Sequence, residues 1–390
     1  MEEWKEYKLG EIAEFRTGKL NSNAAVQNGK YPFFTCAPET YYINDYAFDQ
    51  KAILLAGNNA EGNFNIKYYE GKFNAYQRTY IINPVSDAID IHFLYYALQL
   101  CLQQFKTLSQ GTSTKFLTAK ILNAFCIQVP SLPIQKRIAG VIKSLDDKIE
   151  VNRRINDNLE QQAQALFKSW FVDFEPFRDQ PFVDSELGMI PKGWRVGTLN
   201  ELGDIVGGST PSKAKPEYYT NDGIAWLTPK DLSISQRKFT SKGEIDITQE
   251  GYESCSTKLM PKGSILFSSR APIGYITIAK NDICTNQGFK SVIPKLAGTA
   301  FLYCFLKEST QEIENKATGS TFKEASGALM KSLPAIIPEK AVLDDFEIML
   351  SPLFHQQEVV EEENFHLSSL RDSLLPRLMS GELKISEINM

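Results

Sequence analysis

The feature that most constrains the fold of this 390-residue chain is a long stretch with a seven-residue apolar period. Residues 134–172 contain no proline and a single glycine, and apolar or small side chains recur there at alternating intervals of three and four residues. That spacing is typical of the seam of a coiled coil. At about 1.5 Å per residue, the helix would be roughly 58 Å long. The stretch therefore predicts an elongated helix that spaces other parts of the chain.

The same stretch occurs a second time, at residues 342–378. An offset of 208 carries Gly111 onto Gly319, and the same offset carries Asn156 onto Asn364. Further upstream, an offset of 190 aligns the segment that begins at Trp4 with the segment that begins at Trp194. Ordered matches over nearly half of a chain indicate a true internal repeat. The predicted order is globular domain, long helix, globular domain, long helix.

The predicted fold class is α+β, with two mixed α/β domains alternating with two long helices. Apolar and aromatic runs bounded by Gly, Asn and Pro predict short strands in each domain. The two long helices are expected to pack as an antiparallel coiled coil with an internal pseudo-twofold repeat. The predicted boundaries are 1–132 for the first domain, 133–173 for the first long helix, 174–193 for a linker, 194–338 for the second domain, 339–380 for the second long helix and 381–390 for a tail.

The predicted seam of the helix pair contains apolar residues and two asparagines. Its members are Ile142, Leu145, Ile149, Asn156, Leu159, Leu350, Leu353, Val360, Asn364 and Leu367. The matched Asn156 and Asn364 are expected within about a turn of each other, where they would fix the register. Alternatively, each faces the linker or a partner protein. Pro352 predicts a kink or a break in the second helix, and Pro376 predicts its end before Leu378.

The composition is that of an ordinary globular protein, with 43% hydrophobic and 23% charged residues. No apolar run approaches the roughly 18 residues of a membrane span, and the acidic N-terminus does not suit a signal peptide. Six scattered cysteines without a CxxC pair predict reduced thiols, a cytoplasmic location and no metal site. The net charge of −5 is concentrated on the second long helix, so it does not exclude a nucleic-acid partner for the domains.

Several motifs resemble the specificity (S) subunit of a type I restriction–modification enzyme. They are SSRAPIGYITIAKNDICTNQGFKSVIP at 268–294, GSTFKEASGALMKSLPAIIP at 319–338, LLPRLMSGEL at 374–383 and QGTSTKFLTAKILNAFCIQVPSLPIQKRIAGVI at 110–142. The resemblance covers the whole chain. It implies that each domain, called a target recognition domain, binds one half of a bipartite, asymmetric sequence in double-stranded DNA.

The resemblance also implies a larger complex. The helix pair would set the spacer in the DNA and dock two modification (M) subunits, which supply S-adenosylmethionine chemistry. Restriction (R) subunits would add translocation and cleavage driven by ATP and Mg²⁺. This chain itself is expected to bind no cofactor and to contact no membrane.

The sequence lacks the motifs that would make the chain a catalyst. There is no NPPF-type tetrapeptide of an amino-methyltransferase, the nearest match being Asn83-Pro84-Val85, and there is no GxxxxGK[ST] phosphate loop. A self-contained methyltransferase–nuclease would need them. A structural coiled-coil scaffold or another non-catalytic DNA-binding protein remains as the alternative, although a scaffold would not need two unlike domains.

The predicted DNA-binding residues are polar or basic residues at loops and strand ends, which suit contacts to phosphates and base edges. In the first domain they are Lys19, Asn58, Asn59, Gln77, Arg78, Thr112, Ser113 and Lys115. In the second domain they are Ser209, Thr210, Lys213, Ser268, Ser269, Arg270, Thr285, Asn286, Gln287, Lys290, Ser320, Thr321 and Lys323. Offsets of 211 and 210 relate the central residues of the two sets.

Each group of candidates has a structural alternative. Asn286 and Gln287 could instead satisfy a turn, whereas Arg270, a charged loop residue between two strands, is the strongest candidate. The Gly-Ser/Thr turns at Gly111 and Gly319 could bind phosphate at a helix start, or their hydroxyls could cap the following helix. The group at 209–213, with Lys19 in the first domain, could face DNA or form a solvated turn.

Overall fold

The chain forms two compact units in a computed structural model that describes residues 4–235, 237–319 and 323–385. Unit 1 comprises residues 1–150 and 365–390, and unit 2 comprises residues 151–364. Each unit therefore combines one globular domain with parts of both long helices. Because the units cut across the helices, they differ from the predicted domain boundaries, which divide the chain by sequence segment.

The elements up to the first long helix follow each other with short connections. They are β1 (Lys5–Lys8), α1 (Leu9–Ile12), β2 (Ala13–Thr17), β3 (Tyr31–Phe34), β4 (Tyr41–Ile43), β5 (Phe48–Ala56), β6 (Asn58–Asn59), β7 (Ile66–Ala75), β8 (Thr79–Pro84), α2 (Ile91–Leu100), α3 (Leu102–Leu108), β9 (Lys115–Phe116), α4 (Ala119–Ala124), β10 (Cys126–Val129) and α5 (Leu132–Phe171). Asp90 begins α2, because its carboxylate accepts hydrogen bonds from the backbone N–H groups of His92 and Phe93.

The remaining elements repeat this plan with additions. They are β11 (Phe182–Val183), β12 (Ile190–Pro191), β13 (Arg195–Thr198), α6 (Leu199–Leu202), β14 (Gly203–Gly207), β15 (Tyr219–Thr220), β16 (Trp226–Leu227), α7 (Pro229–Ile234), β17 (Phe239–Thr240), β18 (Asp246–Ile247), α8 (Gln249–Glu253), β19 (Ile265–Ser269), β20 (Ile273–Ala279), β21 (Cys284–Thr285), β22 (Lys290–Pro294), α9 (Thr299–Lys316), α10 (Gly327–Lys331), β23 (Pro334–Ile337) and α11 (Lys340–Met379).

The central sheets of the two domains, with six strands in the first and five in the second, have the same order over their first five strands. The first is β2-β8-β5-β7-β3-β4 and the second is β14-β22-β19-β20-β17. In each, the fifth strand is parallel to the fourth, and the other pairs are antiparallel. A separate two-stranded ladder, β1-β10 or β13-β23, leads into each long helix. The internal repeat is thus a repeat of topology as well as of sequence.

The strand register is also repeated. Phe15 lies opposite Ile82 in the first sheet, and the matched Ile205 lies opposite Val292 in the second. Ile53 pairs with Ile82, as Ile265 pairs with Val292. The offset between matched residues therefore rises from 190 at the first strand to 212 at the third. The 22 residues inserted between these two strands in the second domain carry elements such as α7 and α8 and account for much of the difference between the domains.

In unit 1, the long helices pack on the first domain and on each other. Ile138 and Ile142 of α5 are buried in the same apolar cluster as Leu375 and Leu378 of α11. The guanidinium of Arg371 donates to the Asp146 carboxylate at 2.8 Å. Residue numbers rise along one helix as they fall along the other, so the packing is antiparallel.

In unit 2, polar groups lie within the helix seam. The Asn152 side-chain amide donates to Glu363 Oε2 at 2.8 Å and to Asn364 Oδ1 at 2.9 Å. Since Asn152 lies one turn before Asn156, Asn156 and Asn364 lie within about a turn of each other, as predicted, but the residue that bonds to Asn364 is Asn152. Asn156 instead accepts a hydrogen bond at its backbone carbonyl from the Gln357 amide at 3.3 Å.

The other predicted seam residues face protein. Ile142, Ile149, Leu350 and Val360 are buried, and Leu145, Leu159, Leu353 and Leu367 are half-buried. The expected interruption of the second helix is wrong, since α11 continues through both prolines to Met379. Pro352 and Pro376 lie on exposed positions, as do Ile348 and Asp372, whose carbonyls lose a helical donor to the prolines. Water can therefore satisfy those carbonyls.

Matched tryptophans begin the two domains, and each packs against aromatic rings of its own unit. Trp194 contacts Phe171 and Phe177 at ring distances of 5.9 and 4.8 Å. Trp4 lies 6.4 Å from Phe93 and against the apolar core of unit 1. None of the helices described by the structure combines the length and apolar character required to cross a membrane.

Candidate nucleic-acid interface

The predicted DNA-binding residues converge on one region in each domain. In the first domain this region consists of the loop after β2, the end of β5, the segment before β8 and the hairpin before α4. In the second domain the equivalent parts are the loop after β14, the end of β19, the segment before β22 and the backbone pair before α10. The loop begins at Thr17 in the first domain and at Gly207 in the second. The predicted Ser320 and Thr321 lie outside the described residues.

A glycine lets the loop approach the strand end in both domains. A side chain at Gly18 would collide with the backbone carbonyls of Ala75 and Tyr76. A side chain at Gly208 would collide with those of Thr285 and Asn286. Since these are equivalent positions in the repeat, the close backbone approach is a shared property of the two domains and requires glycine in each.

The matched glutamines bridge this loop in each domain. Gln77 donates from its amide to Asn21 Oδ1 at 2.9 Å. In the second domain the Thr210 hydroxyl is hydrogen-bonded to Gln287 Oε1. The groups that the sequence placed 77 residues apart, Thr210 and Gln287, are therefore neighbours. Asn286 accepts a hydrogen bond from the Gly288 N–H at 2.8 Å, as the turn interpretation predicted.

The Gly-Thr-Ser turn at Gly111 is the tip of a short hairpin, and Gly319 directly follows the first residue of an equivalent backbone pair in the second domain. Gln110 and Phe116 exchange backbone hydrogen bonds of 3.0 and 2.7 Å, and Thr318 and Glu324 form the equivalent pair. Gly111 and Gly319 have φ values of +114° and +145°, which glycine adopts at little cost. Thr112 and Ser113 are exposed at the first tip.

The capping interpretation of these turns is wrong for Thr112 and Ser113. The following helices are capped by Thr118, whose hydroxyl accepts from the Ile121 N–H at 3.3 Å, and by Ser326, whose hydroxyl accepts from the Leu329 N–H at 3.1 Å. Because the first turn precedes its cap as part of a separate hairpin, it does not lie at a helix start either. A contact with DNA phosphates through exposed hydroxyls and backbone stays a prediction.

Three predicted residues are too buried to touch a ligand. Ser268, Ser269 and Thr285 are at most 1% exposed. The Ser268 hydroxyl donates to the Pro272 carbonyl at 2.8 Å, and Ser269 donates to the Gly288 carbonyl at 3.1 Å. Polar side chains at these strand ends are satisfied within the protein, and we remove them from the candidates.

The repeat register also changes which residues correspond. The predicted offset of 211 is wrong by one at the third strand, because the pairing of Ile53 and Ile265 with equivalent partners gives 212. Asn58 therefore corresponds to Arg270. Asn58 Oδ1 is buried and has no hydrogen-bond partner among the described residues. Asn59 Oδ1 accepts from the backbone N–H groups of Glu61 and Asn63, so this side chain shapes its own turn.

The basic candidates divide into free and partnered groups. Lys19 and Lys213 are exposed, and Lys115 is half-buried on β9. The exposed Lys323 donates to the Glu314 carbonyl at 3.3 Å. The Arg78 guanidinium lies 5.1 Å from the centre of the Phe116 ring, a cation–π contact.

Arg270 and Lys290 share a carboxylate that the sequence reasoning missed. Glu324 Oε2 lies 3.2 Å from Arg270 Nη1, and Glu324 Oε1 lies 3.2 Å from Lys290 Nζ. Glu324 directly follows the predicted Lys323 in the sequence. Its position next to a candidate residue was the one sequence signal that could have identified it as part of the site. The pairing itself could not be read from the sequence, since 54 residues separate Arg270 from Glu324.

The second domain also has a cavity beside its candidates. Its volume is about 910 Å³, and its lining includes Thr210, Lys213 and Gln287. The additional residues of this domain supply Trp226 and Asp231 to the same lining. The Trp226 indole N–H donates to the Ser209 carbonyl at 3.1 Å and thereby holds the loop against the cavity.

A buried ion pair joins the second domain to both helices within unit 2. Lys238 Nζ lies 2.8 Å from Glu160 Oε2 of α5 and 2.7 Å from Gln357 Oε1 of α11. The ammonium also lies over the rings of Phe354 and Tyr303, at 3.5 and 4.2 Å. These contacts satisfy a charge that would otherwise be costly to bury.

The pKa values in this cluster reflect burial and charge together. Burial alone would raise the pKa of the Glu160 carboxyl, but the ammonium groups of Lys238 and Lys307 outweigh burial and lower that pKa to about 2. Burial lowers the pKa of Lys238, against the opposing effect of Glu160. In unit 1, a polar contact between the domain and α5 is the hydrogen bond that the Tyr96 hydroxyl donates to Asp146 Oδ2 at 2.7 Å. Burial and this hydrogen bond raise the pKa of Tyr96.

Comparison with known proteins gives a consistent result. Residues 1–161 and 191–361 match the family described as the type I restriction modification DNA specificity domain. The type I restriction enzyme HindI specificity subunit of Haemophilus influenzae is 27% identical, and the alignment covers 98% of this chain and 100% of that protein.

Two further matches differ in their extent. The type I restriction enzyme MjaIX specificity subunit of Methanocaldococcus jannaschii is 39% identical over 191 residues, which are 46% of this chain and 44% of that protein. The crystal structure of a type I restriction–modification S subunit from M. genitalium has a TM-score of 0.63 at 18% identity and covers 97% of this chain and 96% of that chain. At that identity, the structural match shows a shared fold.

Proposed function

This chain belongs to the type I restriction modification DNA specificity family, and we propose that it is the subunit that recognises the DNA sequence of such a complex. Each globular domain reads one half of a bipartite, asymmetric target in double-stranded DNA. The observation that carries this proposal is the repeat itself: equivalent loops and strand ends carry different polar side chains on the same sheet register.

Two globular domains that differ in their polar side chains and share one pair of helices suit an asymmetric DNA target. Side chains distinguish base pairs by donor and acceptor patterns in the grooves, so different polar groups at equivalent positions read different half-sites. Exposed lysines such as Lys19 and Lys213 suit contacts to the phosphates, which position a protein without specifying sequence. A purely structural scaffold gives no reason for this divergence.

The long helices are proposed to dock two M subunits and to set the spacer in the DNA. In unit 2, several apolar side chains on α5 and α11 are exposed to solvent: Val151, Ile155, Ile348, Met349 and Val359. Exposed apolar side chains on long helices suit an interface with another protein. R subunits join the same complex and add cleavage.

The chain is proposed to be non-catalytic and to act in the cytoplasm. S-adenosylmethionine would be bound by the M subunit, and ATP with Mg²⁺ by the R subunit. The purified chain with S-adenosylmethionine and target DNA should transfer no methyl groups, and adding the M subunit should start the reaction. Turnover by the chain alone would refute this division of labour.

Replacing one domain tests the proposal most directly. A hybrid in which residues 194–338 come from another S subunit should change one half of the methylated motif and leave the other half intact. The graft needs a cation at the position of Lys238, because Glu160 and Gln357 remain on the helices. The measurement is sequencing of methylated sites in cells that also produce the M subunit. A reciprocal hybrid at 1–132 is the control, and a motif that changes in both halves or in neither contradicts the proposal.

The spacer has its own test. Four residues inserted after Asn156 and four after Val360 lengthen both helices by roughly 6 Å. At about 3.4 Å per base pair, the unread spacer should grow by one or two base pairs while both half-sites are kept. The same mapping of methylated sites checks this, and full activity with the original spacer would show that the helices do not set the distance.

A further inference from the structure

We propose that Glu324 is a positioning residue that determines base specificity in the second domain, by holding Arg270 ready to contact the edge of a guanine. This inference rests on the proposed function, because it assigns a role within a domain that reads DNA. Glu324 lies where three segments meet: the end of β19, the residues just before β22 and the segment of Glu324 itself, which pairs with Thr318.

The backbone fixes this meeting point. The Ser269 N–H donates to the Gly288 carbonyl at 2.7 Å, and the Ala325 N–H donates to the Ser269 carbonyl at 2.9 Å. Glu324 itself exchanges two backbone hydrogen bonds with Thr318. Three segments that are distant in sequence are thereby joined at their backbones, so the carboxylate of Glu324 has a defined place next to Arg270.

The carboxylate contacts only one side of the guanidinium. Arg270 Nη1 donates to Glu324 at 3.2 Å, and no other group among the described residues bonds to this side chain. Arg270 stays 39% exposed. Ion pairs at such exposure contribute little to folding, because water screens them. The ion pair instead limits the orientations of the guanidinium and leaves further N–H donors toward solvent, where they can pair with guanine O6 and N7.

The second cation completes the arrangement. Lys290 Nζ lies 3.2 Å from the other oxygen of Glu324, and its side chain is only 17% exposed. With both oxygens engaged, the carboxylate cannot turn away from Arg270 without breaking the contact to Lys290. The arrangement has a net positive charge, which suits DNA.

The first domain supports the inference independently. By the 208 offset, Phe116 occupies the position of Glu324, and it too lies beside an arginine, since the Arg78 guanidinium is 5.1 Å from its ring. The same position of the repeat therefore contacts an arginine in each domain. The Phe116 ring contacts Arg78 in the first domain, and the Glu324 carboxylate contacts Arg270 in the second. Because the arginines come from different segments, they would present their donors differently and read different bases.

The test uses the full chain assembled with its M subunits. One DNA duplex carries the target sequence that the mapping of methylated sites identifies. The other duplexes carry that sequence with one base pair changed within the half-site of the second domain. The affinity of the complex for each duplex is measured at one salt concentration. Arg270→Ala should lose discrimination at one G·C pair by roughly five- to hundredfold. Glu324→Gln should lose discrimination at the same pair by a smaller factor, and Glu324→Asp, which keeps the charge, should recover part of it.

Glu308→Gln is the matched control. It removes the same charge from an exposed position of α9 in the same domain. Both Glu→Gln variants should raise affinity for all duplexes slightly, whereas only Glu324→Gln should change discrimination. Thermal unfolding shows whether each variant folds, and Arg270→Lys provides a second test, since it keeps the charge but loses the planar fork.

Several outcomes would overturn the inference. If Arg270→Ala weakens binding to every duplex equally, Arg270 contacts phosphate. If Glu324→Gln behaves like Glu308→Gln while Arg270→Ala loses discrimination, Glu324 does not position the arginine. Neither result affects the proposed function, which fails if replacing residues 194–338 changes both halves of the methylated motif or neither half.

Discussion

The two units join a globular domain to the same two helices with different polar chemistry. In unit 2, Lys238 is only 6% exposed and is enclosed by Glu160, Gln357 and two aromatic rings. In unit 1, Asp146 is 33% exposed and is held by Tyr96 and Arg371. In unit 2 the more buried charge at the contact between domain and helices is the Lys238 ammonium of the domain. In unit 1 the charge that the domain contacts is the Asp146 carboxylate of α5.

This difference shows which features the repeat keeps. Sheet order, strand register and apolar packing on the helices recur in both halves, but the charged contacts between each domain and the long helices do not. Backbone pairing and apolar burial tolerate many sequences of similar pattern, whereas a buried charge requires particular partners. We therefore expect the charged contacts between domain and helices to contribute differently to the free energy of unfolding in the two halves.

The largest expected effect comes from breaking the buried pair. Glu160→Gln leaves the Lys238 ammonium buried without its counter-ion and should lower the free energy of unfolding of unit 2 by about 3–5 kcal/mol. Asp146→Asn in unit 1 should cost only about 1–2 kcal/mol, because that carboxylate is partly hydrated. Urea denaturation of the full chain measures both values.

A double variant provides the control for this comparison. Lys238→Met combined with Glu160→Leu replaces both charges by apolar groups of similar size and should recover most of the stability. Equal losses for Glu160→Gln and Asp146→Asn would show that the two clusters are energetically alike.

Acid should weaken the buried ion pair of unit 2. The pKa of Glu160 is lowered from 4.5 to about 2, so its ionised form stabilises the folded chain above pH 4.5. This contribution, of roughly 3 kcal/mol, is lost as the pH falls from about 4.5 toward 2. The stability difference between the wild type and Glu160→Gln should therefore narrow over that interval, as followed by urea denaturation at pH 7, 4.5 and 3. A constant difference would mean that Glu160 titrates normally.

The smallest effect is expected in the seam of unit 2. Asn152 is fully buried, and its Oδ1 has no partner among the described residues. Replacing Asn152 and Asn364 together by leucine should raise the free energy of unfolding by about 1 kcal/mol, while the antiparallel register becomes less strictly defined. Leu367→Asn, in the helix part that belongs to unit 1, is the reverse control and should destabilise. A loss of stability in the double leucine variant would show that the asparagines stabilise as well as specify.

The sequence by itself determined the two long helices, the repeat and the strand-rich character of both domains. Heptad spacing and apolar runs are local patterns, and burial of an apolar face follows from them wherever the partner lies. The ordered offsets then made the two halves equivalent. The break predicted at Pro352 is wrong because the free-energy cost of proline in a helix depends on whether water can bond to the Ile348 carbonyl that loses its donor. Only the packed helix shows that this position is exposed.

Only the tertiary structure decided which polar side chains remain available for recognition. Ser268 and Thr285 resemble loop residues in sequence, yet segments that are distant along the chain bury them. Asn364 selects Asn152 over the matched Asn156 because the antiparallel register is set by the packing of whole helices. Arg270 meets Glu324 across 54 residues for the same reason. Apolar burial is non-directional and can be read from spacing, whereas a hydrogen bond or an ion pair needs two specific atoms within about 3 Å, and only the folded chain brings those atoms together.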